Sequence, residues 1–150
     1  MYLPGPDQPL TKRLSFLGKY LRESFQALLA KHGCTLPTWA VLNTAEATPG
    51  LPQVQLAERI GIEGPTLVRH LDRLCAEGLV ERRRDELDRR IVRIELTDVG
   101  QKGWAELKDV TTSMESRLTR YLSEDERLAL SAAIDSIYRA LEEAHDFDRN

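Results

Sequence analysis

The chain has 150 residues, of which 30% are charged and 41% hydrophobic, and its formal net charge is −3. That length fits one domain with a true core, or a compact module with helical extensions, rather than two full domains. Seven prolines and nine glycines suit a folded, helix-rich chain. No apolar run approaches the roughly 20 residues of a membrane span, and the opening MYLPGPDQPLTKR lacks the apolar centre of a signal peptide, so the expected location is cytoplasmic.

Leu10, Leu14, Leu17, Leu21 and Leu28 step by threes and fours, which predicts a long amphipathic helix to about Lys31, ended by Gly33. A second helix opens at Pro37 and carries Trp39, Val41 and Leu42 until ATPG breaks it. Pro52 starts a short helix with Leu56, Ala57 and Ile60 inward; Gly61 ends it. Gly64-Pro65 starts the next, with Leu67, Leu71, Leu74 and Cys75 inward and Thr66, Arg69, His70 and Arg73 on the remaining face. Two short helices across a glycine turn make a helix-turn-helix. After Gly78, LVERRR and RRIVRIEL read as two strands, the second alternating Val92, Ile94 and Leu96 with Ile91, Arg93 and Glu95. Thr97 offers an N-cap to a long helix with Trp104, Leu107, Val110, Met114, Leu118 and Tyr121 on its stripe. Ser123 and Glu126 form a capping box for a last helix bearing Leu130, Ile134, Ile137 and Leu141.

Helix-turn-helix followed by hairpin is a winged helix. The hairpin explains itself in that setting: Arg82, Arg83, Arg84, Arg89, Arg90 and Arg93 stand against three acids, Asp85, Glu86 and Asp88, a local positive field in a negative chain. Arg69 and Arg73 can enter a major groove and pair bidentately with guanine, and Thr66 can meet a thymine methyl or a phosphate. The hairpin arginines can reach a narrow A·T-rich minor groove, with Asp88 orienting Arg90 through a charge-assisted hydrogen bond. A plainer reading pairs Arg69 or Arg73 with Asp72 or Glu77 on the helix surface.

The stretches QLAERIGIEGPTLVRHLDRLCAEGLVERR and DRRIVRIELTDVG resemble the MarR family of winged-helix regulators, most closely its SlyA-like members. The resemblance implies a mainly α fold with a small β wing, in which a winged helix-turn-helix is flanked by N- and C-terminal dimerisation helices. Residues 1–34 would be the N-terminal arm and dimerisation helix, 35–97 the DNA-binding domain, and 98–150 the C-terminal dimerisation helices. It also implies a homodimer on a palindromic DNA operator, with Arg69 on the recognition helix, Arg89 and Arg90 on the wing, and Asp88 as the orienting acid. Release by a small aromatic carboxylate, or by oxidation of a cysteine, is implied in the same way. The leucine stripe of the first helix and the two C-terminal stripes point to a two-fold dimer independently, since a single core of this size hardly needs all three.

Lys19, Tyr20, Arg22, Trp39 and Trp104 are the candidate effector pocket, with ordinary core packing as the competing reading. Cys34 is the candidate redox residue if its loop exposes it; Cys75 reads as packing. Neither cysteine belongs to a CxxC pair, and His32, His70 and His145 are too scattered for a metal site, so no metal or cofactor is expected. No phosphate loop, nucleophile elbow or catalytic triad is recognisable, which leaves no enzyme reading. The expected function is a sequence-specific transcriptional regulator, a repressor of an A·T-rich pseudo-palindromic operator. The alternatives are a constitutive or anti-silencing DNA-binding regulator, or a winged helix that docks a partner protein.

Overall fold

The computed structural model describes residues 4–148; the side chains of 145–148, His145 included, lie outside the described residues. Its elements are α1 (Leu10–Ala30), α2 (Leu36–Ala47), β1 (Leu51–Pro52), α3 (Gln53–Ile60), α4 (Gly64–Ala76), β2 (Val80–Arg84), β3 (Val92–Leu96), α5 (Asp98–Thr119) and α6 (Glu124–Asp148). They fall into two compact units, Met1–Thr111 and Thr112–Asn150, and α5 runs from the first into the second.

Two glycines set the path of the first unit. Gly61 sits at φ 74° in the left-handed region, where an L side chain is strained. There its N–H reaches Glu58 O and the following Ile62 N–H reaches Ala57 O, closing α3 and swinging the chain into α4. Gly78, at φ 69°, repeats the device at the end of α4, with Leu79 N–H on Leu74 O, and feeds the chain into β2. The inward residues Leu56, Leu67, Leu71 and Leu74 are fully buried and join Val41, Leu42 and Ile94 in one core. The helix-turn-helix therefore stands as the sequence predicts, and Cys75 packs against this core while only partly buried.

The sheet has one strand more than the expected hairpin. Its order is β1-β3-β2, antiparallel throughout, with Arg82 and Leu51 flanking Ile94 in register. Leu51–Pro52 is too short to show any alternation, so only the third strand's arrival reveals it. Thr97 then caps α5: its Oγ1 accepts from Gly100 N–H at 3.0 Å and donates to Gly78 O at 2.5 Å.

In the second unit, Ser123 and Glu126 make the predicted reciprocal capping box. Ser123 N–H donates to Glu126 Oε2 at 2.7 Å and Glu126 N–H to Ser123 Oγ at 3.2 Å. Ser123 holds the Glu126 carboxyl below the usual carboxylate range, its backbone N–H contributing most and its side chain next. Tyr121 lies beyond the end of α5 at Thr119, not on its stripe as expected. Along α6, Leu128, Leu130, Ile134, Tyr138 and Leu141 are exposed in the single chain. The same holds for Leu10, Leu14, Leu17 and Leu21 of α1, while Leu29 at its end is fully buried.

Candidate nucleic-acid interface

Burial of Leu67, Leu71 and Leu74 turns the opposite side of α4 outward. Thr66 and Arg69 are exposed and His70 is half-buried. None of the three has a side-chain hydrogen bond or ion pair among the described residues, so their donors are free for a partner. Arg73 differs. Its Nη2 donates to Thr38 Oγ1, in the first turn of α2, and its Nε lies 3.7 Å from Glu77. The guanidinium thus braces α4 against α2, close to the plainer of the two roles the sequence allows.

The arginine cluster divides in the same way. Arg82 reaches back to α4, donating to Asp72 at 2.6 Å and to Val68 O at 3.3 Å. Arg83 lies between Glu81 and Glu95, and Arg84 donates to the Arg89 carbonyl. Arg93 is tied to Asp85 and Gly50 O. The whole cluster is therefore not a free positive surface, as the bare count of arginines suggests. Two side chains remain at the tip. Arg89 has no side-chain partner among the described residues. Arg90 is 91% exposed yet clamped: its Nε and Nη2 donate to the two oxygens of Asp88, each at 3.0 Å. The same carboxylate accepts the Arg90 backbone N–H at 3.0 Å. These bonds lower the Asp88 pKa, the guanidinium contributing most, and raise that of Arg90. The clamp keeps a fully charged cation in one orientation at the end of a hairpin.

A helix with free polar donors beside a hairpin that holds out an oriented arginine is the arrangement of a DNA-reading winged helix. The comparisons agree. A MarR family model matches residues 32–91. The transcriptional repressor CouR bound to a 23-mer DNA duplex is 31% identical, with a TM-score of 0.80, over 92% of this chain and 98% of that one. This chain belongs to the MarR family. CouR bound to p-coumaroyl-CoA matches at 31% identity and a TM-score of 0.74, over 87% and 92% of the two chains. MarR itself matches at 26% identity and 0.75, over 95% and 97%. The protein is thus a MarR-family transcriptional regulator with a DNA-binding winged helix, and not an enzyme. Among its described residues no group of His, Cys, Asp and Glu could hold a metal ion, and no helix is long and apolar enough to cross a membrane.

The five effector candidates of this MarR-family chain have different surroundings among the described residues. Lys19 and Arg22 line a shallow groove along α1 itself. Trp39 packs edge-on against Phe25, with ring centroids 4.7 Å apart and its indole N–H buried with no hydrogen-bond partner among the described residues. Trp104 packs against the core, and Tyr20 is half-buried on α1. A cavity of about 230 Å³ lies instead where the α1–α2 turn meets α4 and α5, lined in part by His32, Cys34, Thr38, Arg73, Glu77 and Glu106. Cys34 is not the accessible loop thiol that the redox reading needs. It is 7% exposed, its backbone N–H is held by Leu29 O, and its thiol donates to Thr35 O. Burial pushes its pKa up, against the smaller opposing pulls of the Trp39 backbone and the Arg73 charge. Asp85, Arg82 and Arg93 were visible in sequence only as charge. The signal for Asp85 was its place two and three residues before Leu87 and Asp88, the spacing of an Asx turn.

Proposed function

We propose that the protein is a repressor that binds a pseudo-palindromic, A·T-rich operator as a homodimer and lets go when a small aromatic carboxylate binds. Thr66, Arg69 and His70 read base edges in the major groove, and Arg73 backs them from the end of the same helix. Arg89 and Arg90 enter the flanking minor groove, where narrow A·T tracts concentrate negative potential. The observation that carries the reading is the Asp88–Arg90 clamp, since a bidentate pair on an arginine 91% open to solvent adds little to folding and instead fixes where the guanidinium points. A surface pair of that exposure contributes little stability.

The dimer is supported by the apolar residues left open on α1 and α6. Pairing such faces across a two-fold axis buries them and sets two half-sites about one helical turn apart. Release by ligand is supported by the likeness to CouR, which binds p-coumaroyl-CoA. A carboxylate entering the cavity beside Cys34 would meet the Arg73 guanidinium, and so would pull on the recognition helix.

Fluorescence anisotropy against the DNA upstream of the protein's own gene, in a salt series with and without salicylate or an aromatic acyl-CoA, tests this. Specific binding that Arg90→Ala weakens, with the salt slope lowered by about one, supports the wing contact. Equal affinity for random duplex would reject the operator reading, and binding that neither ligand alters would leave a constitutive regulator.

A further inference from the structure

Asp85 is an acid at the base of a loop meant for DNA, and on charge alone it should weaken the very interface it serves. Its surroundings give it a task. Both carboxylate oxygens are occupied: Oδ1 accepts the backbone N–H groups of Leu87 and Asp88, each at 2.9 Å, and Oδ2 accepts Arg93 Nε at 2.5 Å. The side chain is only 12% exposed. Arg93 in turn donates from Nη1 to Gly50 O at 2.8 Å, on the segment before β1. The loop closes around this bracket, with Asp85 N–H on Ile91 O and Ile91 N–H on Asp88 O. Asp88, whose N–H Asp85 holds, is the residue that grips Arg90.

We propose that Asp85, anchored by Arg93 to the body of the winged helix, is a positioning residue that aims Arg90 at DNA. The proposal rests on the reading of Arg90 as a DNA contact. Arg93 belongs to the fold in this account, not to the nucleic acid, despite its place in the arginine cluster. A loop held from a residue 43 positions away in sequence loses less freedom on binding than a free hairpin tip, and that saving appears as affinity.

The sign of one substitution decides between bracing and bulk charge. Asp85→Ala removes a negative charge, so an interface governed by charge alone would bind tighter, with a salt slope steeper by about one. Bracing predicts weaker operator binding, with binding to random duplex not reduced. The loss should be no larger than that of Arg90→Ala, and Asp85→Ala/Arg90→Ala should bind no more weakly than Arg90→Ala by itself. Asp85→Asn, which keeps an oxygen for the two backbone donors, should recover part of the loss. Hydrogen exchange at the Leu87 and Asp88 amides, read without DNA, separates the failures. Amides unchanged in folded Asp85→Ala, or tighter operator binding, would overturn the bracket itself. Deprotected amides together with an inert Arg90→Ala would show that the bracket exists but that Arg90 is not what it aims, overturning the positioning role through the DNA reading. Arg93→Gln, which leaves both acids in place, should repeat the Asp85→Ala result if folding of the latter is impaired.

Discussion

Gly100 lies so close to the Leu79 backbone that a Cβ placed on it would stand 1.9 Å from the Leu79 carbonyl oxygen and 2.9 Å from its carbon. The first turn of α5 therefore passes over the start of the wing at a distance only glycine permits. The obstacle is backbone, which cannot swing aside as a side chain does. Gly100→Ala should destabilise the fold by about 3 kcal/mol, the upper range of overpacking. Urea unfolding checks it: a midpoint within error of the parent's would mean that α5 can shift at no cost.

Thr97 secures the same junction through its hydroxyl, which caps α5 and reaches Gly78 O. Thr97→Ala should cost about 1–2 kcal/mol, the loss of an N-cap plus a partly buried carbonyl left without its donor. Thr97→Ser keeps the hydroxyl and should recover most of the stability in the same unfolding experiment.

Arg69 and Arg89 both lack side-chain partners among the described residues, but one lies on the recognition helix and the other at the wing tip. Arg69→Ala should weaken the operator by roughly 1–3 kcal/mol while relaxing preference at one base pair of each half-site. Arg89→Ala should leave preference at the major-groove bases intact, weaken duplexes with A·T-rich flanks most, and lower the salt slope by about one. Binding to a panel of single-base operator variants distinguishes them. Uniform weakening by Arg69→Ala would make it a phosphate contact.

Local chemistry was legible in the sequence, and long-range pairing was not. The glycine turns at Gly61 and Gly78, the Thr97 cap and the Ser123–Glu126 box each depend on residues a few positions apart, so spacing alone announces them. The exposed Asp88–Arg90 clamp is of the same kind. Arg73 on Thr38 and Arg93 on Gly50 O join residues 35 and 43 positions apart, and nothing in a one-dimensional pattern selects one acceptor among many at that distance. The Cys34 loop looked open because it is short and polar at its edges, yet it folds back onto α1 and the thiol goes inward.

Burial determines what Cys34 can do. Its pKa stands above the ordinary 9.0, so the folded state favours the neutral thiol. The sign follows: its contribution to stability is fully present below that value and is lost as pH rises through it toward the folded pKa. The thiolate is the reactive form, so iodoacetamide should leave Cys34 unmodified in the folded protein at neutral pH. It should label Cys34 readily in urea, and faster in the folded protein only as the pH climbs past 9. Peptide mass spectrometry reads the site, and rapid labelling of folded protein at pH 7 would restore Cys34 as a redox candidate.

Leu130 and Ile134 are 49% and 44% exposed in the single chain, so the chain does not need them to fold its own core. A dimer does need them if α6 supplies its face. Leu130→Glu together with Ile134→Glu should leave the helical circular dichroism of the subunit largely intact while shifting the sedimenting species from dimer to monomer. Operator affinity should then fall steeply, because two half-sites held by one dimer act with a high effective concentration that separate monomers lack. Half-site affinity measured on a short duplex should change little. A double variant that still sediments as a dimer would place the two-fold contact elsewhere, with the leucines of α1 the next face to alter.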